Sequence, residues 1–150
     1  MGTRLTESAL YRHAWTTPAL DAVFDESHRL QSWLDILTAL AQAQEDFGLV
    51  PSGVADELRV HARVEDLDLE AIAEETRRTS HSTLGLIHGL QRVLPEHARQ
   101  YVYFGATVQD LTDTWFGIAM RDSTRIIRAD LVRVELACIR LALAHRDSPV

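Results

Sequence analysis

Apolar residues recur at helical spacing along most of this chain. Leu30, Trp33, Leu34, Leu37, Ala41 and Phe47 follow steps compatible with one helix face, and Gly48 with Pro51 closes the run. Upstream, Thr17-Pro18 pairs a capping Thr with Pro in the first turn, which predicts the opening of the first long element. A second, short helix is predicted after Pro51, over about residues 54–64. A third opens near 66–68 and carries Leu69, Ile72 and Ala73, then breaks at "RRTSHST" before "LGLIHGLQRVL" resumes helical spacing. Gly85 and Gly89 each cost about 1 kcal/mol of helix propensity against Ala, so their spacing of four predicts a neighbouring helix packed close. "YVYF" (101–104) reads as a short extended segment turned by Gly105.

The last element is the longest. From Val108 to about Arg146 there is no Pro and a single Gly, Gly117. Ile127, Leu131, Val134, Cys138 and Leu141 step by four, three, four and three, a heptad seam. Such a helix spans roughly 58 Å at 1.5 Å per residue, against a radius of gyration of about 15 Å for a compact chain of this size. The remaining residues cannot cover it, so the pattern predicts partner helices and a chain that is not a self-sufficient monomer. Cys138, on the seam, is expected to be a buried structural thiol.

Composition narrows the chemistry. The 150 residues are 46% apolar and 25% charged, those of a globular chain of one ordinary domain's length. A net charge of −7 argues against a nucleic-acid partner. No apolar run reaches the roughly 20 residues of a membrane span, so no membrane partner is expected and a cytoplasmic location is. All fifteen basic residues are Arg, which removes Schiff-base, pyridoxal-phosphate and Walker-lysine chemistry from this stretch. One Cys allows no intrachain disulfide and no cysteine metal cluster.

Two polar clusters interrupt the apolar pattern. In "YFGATVQDLTDT", Thr107 and Asp110 have the spacing of a capping box, with Asp in place of the preferred Glu. Gln109 is not required by a cap. A helix N-terminus also attracts anions, so a capped tip can form one wall of a carboxylate pocket. In "TSHSTLGLI", His81 lies among Thr79, Ser80, Ser82 and Thr83. It is either a cap or surface residue, or an imidazole that moves protons near neutral pH. His88, seven residues on, does not form the usual metal-binding pair with it, there is no HExxH, and no metal site is expected. His13, His28, His61, His97 and His145 show no partner pattern and read as structural or surface residues.

"TSHSTLGLI" followed some twenty residues later by "YFGATVQDLTDT" and a long helix resembles the fumarase/aspartase superfamily, nearest its adenylosuccinate lyase and carboxymuconate cycloisomerase branch. The opening "TTPALDAVFDESHRLQSWLDILTALAQAQEDFGLVP" shares that likeness. The resemblance implies an all-α fold, with residues 1–106 an N-terminal helical domain and 107–150 the start of a central long-helix bundle. It implies a homotetramer acting on a small dicarboxylate without a cofactor. It assigns His81 a catalytic role and Ser80, Ser82, Tyr103, Thr107 and Gln109 to substrate binding. The reaction implied is β-elimination from a substituted succinate, releasing fumarate or a related unsaturated acid through a carboxylate-stabilised carbanion; a carbon–nitrogen lyase is the form expected. A noncatalytic helical oligomerisation module and a cycloisomerase are the alternatives. Val108 stands where relatives carry Ser, Tyr103 where they often carry His, and Arg12 is displaced from the usual Arg-Tyr pair; these point away from a purine nucleotide and towards a smaller succinate. Relatives continue into a second His segment and a Ser-bearing loop, so the chain is expected to be the N-terminal third of a lyase and inactive alone.

Overall fold

A computed structural model describes residues 5–148. Within them the chain is helical: α1 (Pro18–Val23), α2 (Glu26–Asp46), α3 (Val54–His61), α4 (Leu69–Thr79), α5 (Leu84–Val93), α6 (Glu96–Arg99) and α7 (Val108–Ala144), with short 3-10 turns ahead of α1 and between α3 and α4. The all-α expectation holds. Two units divide the chain, residues 25–117 and a second made of 1–24 with 118–150.

The unit of residues 25–117 holds the main core. Leu34, Leu37, Leu58, Leu86, Leu90, Leu94 and Leu111 are each at most 2% exposed. Every such leucine contributes roughly 1.5–3 kcal/mol by leaving water. α2 packs against α3, and α4 against α5. The α4–α5 contact depends on the two glycines: a Cβ on Gly85 would lie 2.6 Å from the Ile72 carbonyl oxygen, and one on Gly89 would lie 2.7 Å from Ile72 Cδ1. The lost helix propensity is exchanged for close approach of the two backbones.

Local details depart from the predicted pattern in three places. Thr17 does cap a helix, accepting from the Leu20 N–H, but α1 stops after six residues. Asp25 then accepts from the His28 N–H and starts α2 afresh, so two capping side chains eight residues apart divide the expected long element. The helix after Pro51 ends at His61, and a 3-10 turn follows at Val64–Asp66. Residues 101–104 are not extended: they form a turn in which Tyr103 takes φ +65° and Gly105 φ +70°. That turn is fastened to α2 by Gln44, whose Nε2 donates to the Phe104 carbonyl at 2.6 Å.

α7 runs for 37 residues, as the absence of Pro permits. Its expected seam is uncovered among the described residues: Leu131, Val134 and Leu141 are each about 60% exposed, and Cys138 is exposed rather than buried. Val132, Leu136, Ile139 and Leu143 are exposed too. A helix apolar on several sides is typical of a bundle interior. No helix of the described residues is long and apolar enough to cross a membrane.

Candidate functional site

The sequence-predicted site residues fall on two turns. The first joins α4 to α5. Ser80 closes α4 in the left-handed region, φ +54°, with its N–H bonded to the Thr76 carbonyl at 2.9 Å. This directs the chain away from the helix axis and presents Ser80 and Ser82 to solvent. His81, half-buried, turns back over the start of α5: its Nδ1 accepts from the Leu84 N–H at 3.1 Å and, less closely, from the Thr83 N–H at 3.4 Å. An accepting Nδ1 places the proton of the neutral ring on Nε2. Among the described residues Nε2 has no partner, so His81 offers an N–H donor outward while its other nitrogen serves as a helix cap.

Thr83 occupies the N-cap position itself but does not cap. Its side chain is fully buried and its Oγ1 makes no hydrogen bond among the described residues. It faces the Tyr103 phenol, whose oxygen is also buried; the two hydroxyls interact, but among the described residues neither has a partner in full hydrogen-bond geometry. Burial raises the Tyr103 pKa; the Thr83 hydroxyl pulls it down and the Asp110 charge pushes it up. Tyr103 therefore stands between the two turns, beside Thr83 of the first and Asp110 of the second.

The second turn starts α7. Asp110 Oδ2 accepts from the Thr107 N–H at 2.8 Å and from the Thr107 hydroxyl at 3.0 Å, while the Asp110 N–H reaches Thr107 Oγ1 at 3.4 Å. This reciprocal box lowers the Asp110 pKa, first through the backbone bond and then through the hydroxyl. Gln109 is placed differently: its amide donates to Asp113 at 2.6 Å, one turn along the same helix. Val108 and Gln109 keep backbone N–H groups at the open tip, where the first turn has no carbonyl to receive them. No hydrogen bond links His81 to Thr107 or Gln109 among the described residues.

One polar cluster escaped the sequence reading. Glu75 is 9% exposed; its Oε1 meets His88 Nδ1 at 2.6 Å, with Arg92 at 3.4 Å and Arg78 at 3.7 Å. The His88 hydrogen bond is the main cause of its lowered pKa. Glu75 lies three residues after Ile72 on the buried side of α4, and a carboxylate on an apolar stripe was the available signal. Among the described residues there is no group of three or more His, Cys, Asp or Glu placed to hold a metal.

The fold and these turns define an all-helical chain whose longest helix opens at a polar turn. No family model matches the chain. Curated proteins do: it is 35% identical over 131 residues to adenylosuccinate lyase of Methanothermobacter thermautotrophicus, covering 87% of this chain and 29% of that protein. It is 33% identical over 148 residues to N-acetyl-S-(2-succino)cysteine lyase of Dickeya dadantii, covering 99% and 32%. Among solved structures, 3-carboxy-cis,cis-muconate lactonizing enzyme from Pseudomonas putida superposes with a TM-score of 0.84 at 32% identity, covering 93% of this chain and 32% of that one. The chain is thus homologous to members of the fumarase/aspartase superfamily, in the branch of adenylosuccinate lyase and carboxymuconate cycloisomerase. It spans about a third of the length of these relatives.

Proposed function

We propose that the chain is part of a lyase that eliminates a β-substituent from a substituted succinate and releases fumarate or a related unsaturated acid. In the elimination a base supplied by the complete protein takes a proton from the carbon next to one carboxylate, and the electron pair left behind is delocalised into that carboxylate. The pair then forms the double bond as the neighbouring carbon–heteroatom bond breaks, and the leaving group departs with its own pair and gains a proton. Donors aimed at the carboxylate stabilise the charge that builds up there more than the resting substrate. On this reading the Val108 and Gln109 N–H groups at the tip of α7 are such donors, with Thr107 and Gln109 side chains beside them. His81 holds a proton at Nε2 for the substrate, and Ser80, Ser82 and Tyr103 line the approach. A carbon–nitrogen lyase is the form proposed, with the exposed stripe of α7 completed by other subunits of a homotetramer. The isolated 150-residue chain is proposed to be inactive.

The observation that carries the reading is the free Nε2 of His81, a ring whose other nitrogen is fixed by backbone donors. The test is to incubate the complete protein with amino-, nitro- and carboxy-substituted succinates and follow fumarate by its ultraviolet absorbance. His81→Ala and Thr107→Val should each lose most turnover with the assembly intact. Near-normal rates in both return these residues to capping.

A second reading, a noncatalytic helical oligomerisation module, is favoured by one observation. The Thr107 hydroxyl and the Gln109 amide are both engaged by neighbouring carboxylates. Absence of turnover in the complete protein with every candidate would support it. Lactone formation in place of fumarate release would identify a cycloisomerase.

A further inference from the structure

The unit of residues 25–117 contains a cavity of about 460 Å³ between α2, α4 and the start of α5. This is within the usual size of small-molecule pockets. Trp33, Leu69, Ile72 and Leu86 give it apolar walls, and Arg29, Arg77 and Ser82 supply polar groups. Arg29 is held in place: its guanidinium carbon lies 5.5 Å from the centre of the Trp33 ring and 5.7 Å from that of Trp115. The two indoles themselves meet edge to face. Among the described residues its Nε is buried without a hydrogen-bond partner, and its ion-pairing carboxylate, Glu26, is 3.9 Å away with a side chain 82% exposed. Arg77 makes no hydrogen bond or ion pair among the described residues. Two guanidinium groups against one solvated carboxylate leave the wall positive, and a cation stacked on aromatic rings loses little entropy when it receives an anion. The cavity also shares Ser82 with the His81 turn.

We propose that this cavity binds the departing portion of the substrate, and that this portion is an acid with an apolar body. Its carboxylate sits on Arg29 and Arg77, and its body lies on Trp33, Leu69 and Ile72. The assignment of the departing portion rests on the lyase reading above; the affinity of the cavity for apolar acids does not. The probe is 4-phenylbutyrate, titrated into the protein while the indole N–H resonances of Trp33 and Trp115 are followed by NMR. The expected result is saturable binding that shifts both indoles, weakened at least tenfold for the neutral 4-phenylbutyramide. Arg77→Gln, an exposed helix position expected to fold normally, should weaken the acid at least fivefold and leave the amide unchanged. Arg29→Gln should do more, with circular dichroism confirming its fold. Equal binding of acid and amide, no binding, or no effect of Arg77→Gln overturns the proposal. Turnover by the complete protein gives the second arm: an acid-bearing leaving group should exceed its amide at least tenfold in kcat/KM, a ratio that Arg77→Gln narrows. No turnover with any succinate would sink the lyase reading while the titration still decides the cavity; turnover without an acid preference would sink the assignment of the departing portion alone.

Discussion

Where α5 begins, a ring nitrogen of His81 accepts backbone N–H groups from outside the helix; where α7 begins, Thr107 and Asp110 satisfy one another. The first start keeps a side-chain donor in reserve, the free Nε2, and buries the Thr83 hydroxyl against the Tyr103 phenol. The second engages its side chains and keeps backbone donors in reserve. A helix start can thus offer a substrate either a side-chain N–H, as at α5, or fixed backbone dipoles, as at α7. It also extends along the helices. α5 is wedged against α4 through Gly85, whereas a Cβ at Gly117 of α7 would meet nothing within 4 Å among the described residues.

The largest expected effect breaks that contrast at the glycines. Gly85→Ala must push against the Ile72 backbone and should cost about 3 kcal/mol, whereas Gly117→Ala should raise stability by about 1 kcal/mol; paired urea titrations measure both. A fall in stability for both would show that α7 is as constrained as α5. Next come the caps. His81→Ala and Thr107→Val should each cost about 1 kcal/mol, read as a lower urea midpoint with unchanged slope. A His81→Ala protein as stable as the parent would mean that the ring does not cap α5.

The smallest effect is on pH. Asp110 and Glu75 have pKa values lowered from 3.8 and 4.5, so each binds protons more weakly when folded. Their stabilisation is complete above those unfolded values and fades as pH falls through the lower folded ones. The melting temperature should therefore decline on acidification below about pH 4.5, less steeply in Asp110→Asn and Glu75→Gln. An unchanged slope in both variants would show that neither carboxylate contributes.

Helices were legible wherever apolar residues kept helical spacing, as in α2 and α7, and best where a cap coincided with the pattern, as in α4 after Asp68. The close packing of Gly85 and Gly89 was legible because two residues that weaken a helix, four apart on one face, leave room for a neighbouring helix. The break at Phe24 was not, because Asp25 as a second cap looks like any acidic residue ahead of a helix. The turn at 101–105 was missed because β-favouring aromatics outweighed, on paper, the tie from Gln44 sixty residues away. At the site, the Thr107–Asp110 box was readable from spacing alone. The roles of His81 Nδ1, Thr83 and Glu75 were not, since each depends on which atoms a fold turns towards one another. The burial expected of Cys138 assumed a neighbour that the described residues do not supply.

Tyr103 makes two demands on one position. Its backbone, at φ +65°, is of a kind that Gly or Asn adopts at least cost, while its ring fills the space beside Thr83 that neither could fill. Any replacement must give up one or the other: Gly relaxes the bend and opens a void, and Phe keeps the filling but discards the oxygen. Few substitutions can drift through such a position unnoticed, so the bearing of one loop on the other is tied to a single aromatic residue.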